Sequence, residues 1–220
     1  MKAMILAAGR GERMRPLTDT TPKPLLKVND KELIVYHIEK LKAIGVKDIV
    51  INHAWLGNKI EETLRNGKQF GVNITYSPEM TGGLETAGGI ANALNLLSDT
   101  FIVVNGDVYT ELNYEEFLKI NLGDDLGHLF LVNNPLHNAK GDFSLSNNRV
   151  VSGHDYTFSG LALYKKEAFI NIPIEKLKLK PYFDEWIKDN RLQGKVMSDF
   201  WCDVGTPERL NNLDQRLRKI

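Results

Sequence analysis

Glycines and basic side chains follow directly on the first apolar run of the chain. The run Met4–Ala8 ends at Gly9, and the residues after it carry several cations but one carboxylate, that of Glu12. Glycines let backbone N–H groups approach phosphate oxygens closely, and permanent positive charges attract them. The spacing therefore predicts a strand followed by a loop that binds a polyphosphate. The residues of this loop and its cations are Leu6, Ala7, Ala8, Gly9, Gly11, Arg13 and Lys23.

The pair Gly9 and Gly11 allows two other interpretations. One is a cationic surface turn, which the ordered cations and prolines up to Pro24 disfavour. The other is a dinucleotide-dependent oxidoreductase, but the third glycine of that fingerprint is missing, and arginines and Pro16 stand where its helix should begin. Polyphosphate binding is therefore the better hypothesis for this loop.

Two aspartates follow apolar runs and are candidates for a metal site. Asp107 comes after Phe101–Asn105, and Asp203 comes after a run that ends at Trp201. Two carboxylates suit Mg²⁺, which takes few protein oxygens and completes its shell with water and substrate phosphates. The commoner role of an aspartate after a strand is in a turn or a cap, and the residues alone leave both roles open.

The elements that must position these residues alternate between strands and helices. Runs rich in Ile and Val at Met4–Ala8, Asp48–Asn52 and Phe101–Asn105 predict buried parallel strands. Helical periodicity over 33–44 and 55–66 predicts the crossovers between them. The expected fold is a doubly wound, mostly parallel, Rossmann-like α/β sheet, whose ligands lie at the carboxyl ends of the strands.

The second half of the chain has a different pattern. Short strands separated by turn residues indicate a small mixed or antiparallel extension of the sheet. We expect one domain over 1–220, with two halves at 1–110 and 111–220. The predicted elements are strands Leu126–Val132, Phe143–Leu145, Arg149–Val151, Phe158–Tyr164 and Lys195–Trp201, a helix Pro181–Asn190, and a closing helix capped by Thr206 and Pro207.

The composition excludes several classes of function. The 220 residues are 42% hydrophobic, and 28 Lys and Arg balance 28 Asp and Glu. This charge gives no general field for nucleic acid and no polybasic patch for a membrane surface. The N-terminus has no signal-peptide pattern, so we expect a cytoplasmic protein. Cys202 has no partner for a disulfide and is expected to be a small buried residue, and the five histidines show no metal-ligand spacing.

The stretches Leu6–Arg13 and Pro22–Pro24 resemble the opening of the sugar-1-phosphate nucleotidyltransferases. In that family leucine, two alanines, glycine-x-glycine-x-arginine and then proline-lysine-proline occur at the same spacing. Further segments are similar to the N-acetylmuramate-1-phosphate uridylyltransferases, a branch that serves bacterial cell-wall recycling. These segments are Ile51–Gly57, Tyr76–Glu79, Leu84–Gly89, Val104–Val108 and Asp203–Thr206.

The resemblance implies a nucleotide-binding half at 1–110 and a sugar-phosphate-binding half at 111–220, and it implies a role for each candidate site residue. Glu85 and Thr86 are also ordinary helix-start residues, and the loops around Gly141 and Ser159 also fit a hairpin turn and a strand start. The roles implied by the family are triphosphate and pyrophosphate contact for Arg13, α-phosphate and sugar-phosphate contact for Lys23, nucleobase binding by the loop 81–86 with Gly83, Glu85 and Thr86, sugar-phosphate binding by Asn105, Gly141, Asp142 and Ser159, and Mg²⁺ binding by Asp107 and Asp203.

The resemblance also implies an activity and its partners. We expect a Mg²⁺-dependent enzyme that takes UTP and a sugar 1-phosphate, with N-acetylmuramate 1-phosphate as the expected acceptor. The alternatives are a related enzyme for another sugar phosphate with GTP, dTTP or CTP, and a non-catalytic sugar-nucleotide sensor. No heptad pattern or long apolar edge indicates an interface, so a monomer or small homo-oligomer is expected.

Overall fold

A mixed β-sheet with helices on both faces forms the centre of the protein. The computed structural model describes residues 1–80 and 82–219. β-Branched side chains form the central strands because they fit a pleated surface that is buried on both faces. The strands are β1 (Lys2–Leu6), β2 (Lys27–Val28), β3 (Lys31–Glu32), β4 (Asp48–His53), β5 (Asn73–Pro78), β6 (Thr100–Asn105), β7 (Val108–Thr110), β8 (Gly127–Asn133), β9 (Phe143–Ser146), β10 (Arg149–Lys165), β11 (Leu192–Val196) and β12 (Trp201–Asp203).

The strand order of the main sheet is β11-β8-β10-β6-β1-β4-β5, and β9 pairs with β10. Strands β6, β1, β4 and β5 are parallel, whereas β10 runs antiparallel to both β6 and β8. The predicted α/β fold with an antiparallel extension is therefore confirmed. The segments 149–151 and 158–164, predicted as separate strands, belong to one long strand, β10.

The predicted strand Lys195–Trp201 is wrong. Strand β11 ends at Val196, and Trp201 begins β12, which pairs with β7 in a separate two-stranded sheet. The apolar pattern continued across this break because Met197 is buried and Trp201 and Cys202 are partly buried, although the chain changes sheets between them. Cys202, predicted to be buried, is partly exposed in β12. Its desolvation nevertheless raises the pKa of the thiol to about 11.

Helices cover both faces of the main sheet. Alternate residues of β1 divide between two cores, with Ile5 in one and Met4 in the other. The periodic segments 33–44 and 55–66 form helices as predicted, each close to its expected bounds. The helices are α1 (Leu17–Thr20), α2 (Leu33–Ala43), α3 (Gly57–Leu64), α4 (Glu85–Ala93), α5 (Glu115–Leu118), α6 (Lys180–Lys188) and α7 (Pro207–Leu217).

Different helices pack on the two faces of the sheet. The segments next to these helices therefore reach the carboxyl ends of the strands from opposite sides. Helices α2 and α3 pack with Ile5 in the first core, together with Leu25. Helices α4 and α6 pack with Met4 in the second core. Helix α7 begins as predicted, with the Thr206 side chain accepting from the backbone N of Arg209, and it packs in a third core. Within the described residues, no helix has the length and apolar character needed to cross a membrane.

Candidate active site

A cavity of about 410 Å³ opens where β1 and β6 end. Parallel strands direct their carboxyl ends to the same edge of a sheet, which is where doubly wound folds bind ligands. The lining comes from the loop after β1, the segment after β6, the start of α4 and one residue of a segment before α6. The lining residues are Leu6, Ala7, Ala8, Gly9, Arg10, Lys23, Pro24, Asn52, Gly82, Gly83, Glu85, Thr86, Asn105, Asp107 and Lys176.

A buried amide at the end of β4 connects two walls of this cavity. Asn52 Oδ1 accepts from the backbone N of Ala7 at 2.9 Å, and its Nδ2 donates to Glu79 Oε1 at 2.6 Å. The other oxygen of Glu79 accepts from the backbone N of Leu84 at 2.6 Å. Asn52 is 2% exposed. The loop after β1 and the start of α4 are therefore held in a fixed relation by a chain of hydrogen bonds.

The loop after β1 turns sharply at Gly11. Gly11 has φ +71°, and a Cβ at this position would lie 2.9 Å from Cγ2 of Thr18. The hydroxyl of Thr18 donates to the carbonyl of Gly11 at 2.8 Å. The guanidinium of Arg10 lies 3.7 Å from the ring centre of Trp55 and pairs with Asp19. These contacts fix the shape of the loop around Gly11.

Lys23 and Asp107 form an ion pair on the cavity wall. The side chain of Lys23, which lies in a short 3₁₀ turn between Pro22 and Pro24, is only 10% exposed. Asp107 follows β6 and remains about one-third exposed. A lysine is rarely this buried unless it is paired, so the carboxylate stabilises the ammonium in the absence of another anion.

Helix α4 begins against a segment that crosses it, residues 173–177, which we call the strap. The backbone N of Ala87 donates to the carbonyl of Leu177 at 3.0 Å, and the backbone N of Leu177 donates to the carbonyl of Leu84 at 3.0 Å. A Cβ at Gly88 would lie 1.8 Å from the carbonyl oxygen of Glu175. Only a glycine allows the strap to pass this close, and the contact brings Lys176 to the cavity.

The backbone of Asp203 lies beside that of Asp107, but its side chain points to a different group. Strand β12 pairs Asp203 with Val108, and the backbone N of Val204 donates to the carbonyl of Asp107 at 2.9 Å. The carboxylate of Asp203 pairs with Arg209 at 2.9 Å and with His137 at 2.8 Å. The structure thus brings the two aspartates to adjacent segments, with each carboxylate held by its own cation.

Comparison with known proteins gives a clear family assignment. The model of the nucleotidyl transferase family matches residues 2–123. The chain belongs to this family. It is 52% identical over 220 residues to the N-acetylmuramate alpha-1-phosphate uridylyltransferase of Neisseria meningitidis serogroup B, covering 96% of this chain and 95% of that protein. It is 30% identical to the mannose-1-phosphate guanyltransferase of Gibberella zeae over 94% of this chain but only 62% of that protein.

Two solved structures have the same fold as this chain. A Bacillus anthracis chain assigned as a glucose-1-phosphate thymidylyltransferase superposes with a TM-score of 0.90 at 23% identity, covering 100% of this chain and 96% of that one. HddC from Yersinia pseudotuberculosis, solved with GMP-PN, gives a TM-score of 0.81 at 22% identity, covering 98% and 99%. At these identities the likeness establishes the architecture of this nucleotidyltransferase and no more.

Most of the predicted site residues meet at the cavity of this nucleotidyltransferase. Thr81, part of the predicted nucleobase loop, lies outside the described residues. Gly11 is absent from the lining but shapes the loop that forms it. Arg13 is exposed, and no side-chain partner for it occurs within 1–80 and 82–219. The predicted residues that line the cavity are Leu6, Ala7, Ala8, Gly9, Lys23, Gly83, Glu85, Thr86, Asn105 and Asp107.

Three predicted sugar contacts lie away from the cavity lining. Asp142 accepts from the backbone N of Phe158 at 2.8 Å, next to Gly141, whose φ is +63°. Ser159 is 1% exposed and donates to the carbonyl of Phe130 at 2.7 Å. These are structural contacts of strand β10, and contact with a sugar stays a prediction for all three residues.

The sequence analysis did not name as individual site residues five residues that line the cavity: Arg10, Pro24, Asn52, Gly82 and Lys176. Arg10 stands within the loop that was recognised, so its charge was a usable signal. Asn52 falls at the predicted end of a parallel strand, where a polar residue is a candidate ligand contact. Nothing in the sequence around Lys176 distinguishes it from its neighbour Lys178, because its position depends on the packing of the strap against α4.

Proposed function

We propose that this nucleotidyltransferase transfers a uridylyl group from UTP to N-acetylmuramate α-1-phosphate, producing UDP-N-acetylmuramate and pyrophosphate. The observation that carries the proposal is the near full-length identity to the Neisseria enzyme, which exceeds the similarity to the guanyltransferases and extends over both halves of the chain. The product would enter peptidoglycan recycling. We place the reaction in the cytoplasm, where UTP is available.

The proposed chemistry needs positioned cations rather than a general base. An oxygen of the sugar phosphate, already ionised at neutral pH, attacks the α-phosphorus of UTP, and the bond from that phosphorus to the bridging oxygen of the β-phosphate breaks. The charge passes to the departing pyrophosphate. Lys23, at the cavity wall, would bind the α-phosphate and the incoming phosphate, and Arg13 would bind the leaving group. Backbone N–H groups of the loop at Gly9 would bind the other phosphate oxygens.

Mg²⁺ fits the donor set of this site. Within the described residues, no group of three or more His, Cys, Asp or Glu side chains is arranged to hold a metal ion. Mg²⁺ does not require one, since it commonly takes one or two carboxylates together with substrate phosphates and water. Asp107, on the cavity wall, would hold it together with Asp203 on the paired segment, once the Asp203 carboxylate turns from Arg209 and His137. When bound, the ion would neutralise charge on the phosphates. We propose that incoming phosphates and the ion replace the Lys23–Asp107 ion pair.

The start of α4 supports the proposed nucleobase site. Gly82 and Gly83 both have positive φ and leave the backbone accessible, and Glu85 and Thr86 follow them on the same wall. We propose that this segment binds uracil and that Asn105 contacts the sugar phosphate. The roles of Gly141, Asp142 and Ser159 toward the sugar are proposed to be indirect, through strand β10.

The test is pyrophosphate release from UTP, dTTP, GTP and CTP, each with the 1-phosphates of N-acetylmuramate, N-acetylglucosamine, glucose and mannose, with and without Mg²⁺. Selective release from UTP with the muramate phosphate, only with Mg²⁺, is the expected result. Release with another pair would retain the mechanism and overturn the substrate assignment. Absence of release under every condition would favour a sugar-nucleotide sensor. Gel filtration with light scattering tests the expected monomer or small homo-oligomer.

A further inference from the structure

The strap presents one lysine to the cavity. Lys176 is exposed, and it lines the cavity together with Glu85 and Thr86 of α4. Its backbone is fixed on both sides, because Glu175 packs against Gly88 and the backbone N and O of Leu177 are bonded to α4. The ammonium is therefore attached to an anchored segment, which reduces the entropy that is lost when it binds a partner.

Lys176 differs from the other two cations that line the cavity. Lys23 is paired with Asp107, and Arg10 is paired with Asp19 and stacked on Trp55. Within 1–80 and 82–219, no carboxylate lies within ion-pair distance of the Lys176 ammonium. Its ammonium, without such a partner, faces a concave site that also carries Glu85, the amide of Asn105 and the Lys23-paired Asp107. Such a site attracts an anionic group of the substrate.

Lys176 also reaches the cavity from the opposite side to Lys23. Leu25, next to the Lys23 turn, packs in the core with α2 and α3 on one face of the sheet. The strap lies against α4, and Ile172 and Leu179 on either side of it pack in the core of the other face. The reacting phosphates belong at Lys23 and Asp107. An anion at Lys176 is therefore a different part of the substrate.

The chemistry of the proposed substrates leaves one group for this position. Uracil, ribose and the N-acetylated sugar ring are neutral, and the phosphates are assigned to Lys23, Arg13 and the loop at Gly9. The remaining anion is the carboxylate of the lactyl ether that distinguishes N-acetylmuramate from N-acetylglucosamine. We propose that Lys176 binds this carboxylate and so selects the acidic sugar. The inference rests on the proposed function, because a neutral sugar phosphate offers no such group.

The experiment compares two products that differ only in the lactyl ether. Dissociation constants of UDP-N-acetylmuramate and UDP-N-acetylglucosamine are measured by isothermal titration calorimetry for the wild type and Lys176→Met. A charge-assisted hydrogen bond predicts a loss of about ten- to a hundredfold in affinity for the muramate product, with less than about a twofold change for the other. Lys178→Met, an exposed lysine two residues away that does not line the cavity, is the matched control and should leave both constants unchanged.

The outcomes separate this inference from the proposed function. A wild type that prefers the muramate product while Lys176→Met retains that preference would overturn the inference alone. An equal loss for both products would assign Lys176 to the diphosphate or the base and would also overturn it. A wild type without any preference for the muramate product would contradict the proposed substrate. In steady-state assays, Lys176→Met should raise the KM for N-acetylmuramate 1-phosphate and leave the KM for UTP unchanged.

Discussion

From the hydrogen bonds of Asn52 we predict that a negative charge at this position lowers the stability of the fold. In Asn52→Asp the first oxygen still accepts from the backbone N of Ala7, but the second replaces a donor that lies 2.6 Å from Glu79 Oε1. Two carboxylates then face each other beside a buried strand end. The double variant Asn52→Asp, Glu79→Gln restores one donor and one acceptor to this contact, with the donor now at position 79 and the acceptor at position 52. The oxygen of the new amide can still accept from the backbone N of Leu84.

The expected size of the effect follows from the distance. At 2.6 Å the repulsion of two unit charges is about 6 kcal/mol at an effective dielectric constant of about 20. The variant can instead take up one proton, which costs about 1.4 kcal/mol for each pH unit above an ordinary carboxyl pKa of about 4, or about 4 kcal/mol at pH 7. Protonation is the cheaper route. Asn52→Asp should therefore lower the free energy of unfolding by up to about 4 kcal/mol at pH 7.

The pH dependence has a definite sign. The folded variant holds a proton that the unfolded chain releases, so the pKa of the pair is raised on folding and the deficit relative to wild type grows as the pH rises. Urea unfolding at pH 5.5 and pH 7 should give deficits that differ by about 2 kcal/mol, with the smaller one at pH 5.5. The double variant should recover most of the loss. A deficit that is independent of pH, or that the double variant does not reduce, would refute the reasoning.

Three further predictions concern other parts of the molecule. Burial lowers the pKa of His37 from 6.5 to about 4. The folded protein keeps the His37 ring neutral, so this contribution to the free energy of unfolding is complete above pH 6.5 and falls by about 1.4 kcal/mol per pH unit between pH 6.5 and pH 4. In urea unfolding, His37→Gln should lack this pH dependence. An equal pH dependence in the variant would contradict the assignment to His37. Gly88→Ala places a Cβ 1.8 Å from the carbonyl oxygen of Glu175 and should cost about 1–3 kcal/mol in urea unfolding. Gly9→Ala, with no heavy atom within 4 Å, is its control and should stay within about 0.5 kcal/mol. Asp107→Asn should abolish Mg²⁺-dependent pyrophosphate release without changing the circular dichroism spectrum, and a near-normal rate would remove Asp107 from the metal site.

The sequence predicted the centre of the fold well because the signals there are local. The Ile- and Val-rich runs that became β4 and β6 are buried on both faces, and such runs are typical of parallel strands. The boundaries of the strands in the second half of the chain were harder to predict. Strand β10 continues through polar residues between 151 and 158, where its register shifts, since it pairs with β9 before the shift and with β8 and β9 after it. The same limitation produced the error at 195–201.

The residues of the site also fall into those that the sequence predicted and those that it did not. The loop after β1 and the residue Asp107 were predictable, because glycines, cations and a carboxylate stood directly after recognisable strands. Lys176 was not, since it reaches the cavity only through the fit of the strap against Gly88, a contact between segments far apart in the chain. The pairing of Asp203 with Arg209 and His137 was equally hidden, because the three side chains come from different elements.

Three residues whose type does not suit their burial or backbone conformation lie at the cavity. Lys23 is nearly buried, Asn52 is a buried amide in the central sheet, and Glu85 has φ +58°, a conformation in which a side chain other than glycine costs roughly 1–2 kcal/mol. Packing alone would favour an apolar residue at the first two positions and glycine at the third. Each instead places a polar group on the same 410 Å³ cavity. The hydrogen bonds of Asn52 also stabilise the fold, but binding of a charged, hydrogen-bonding substrate explains why all three polar groups lie at one cavity.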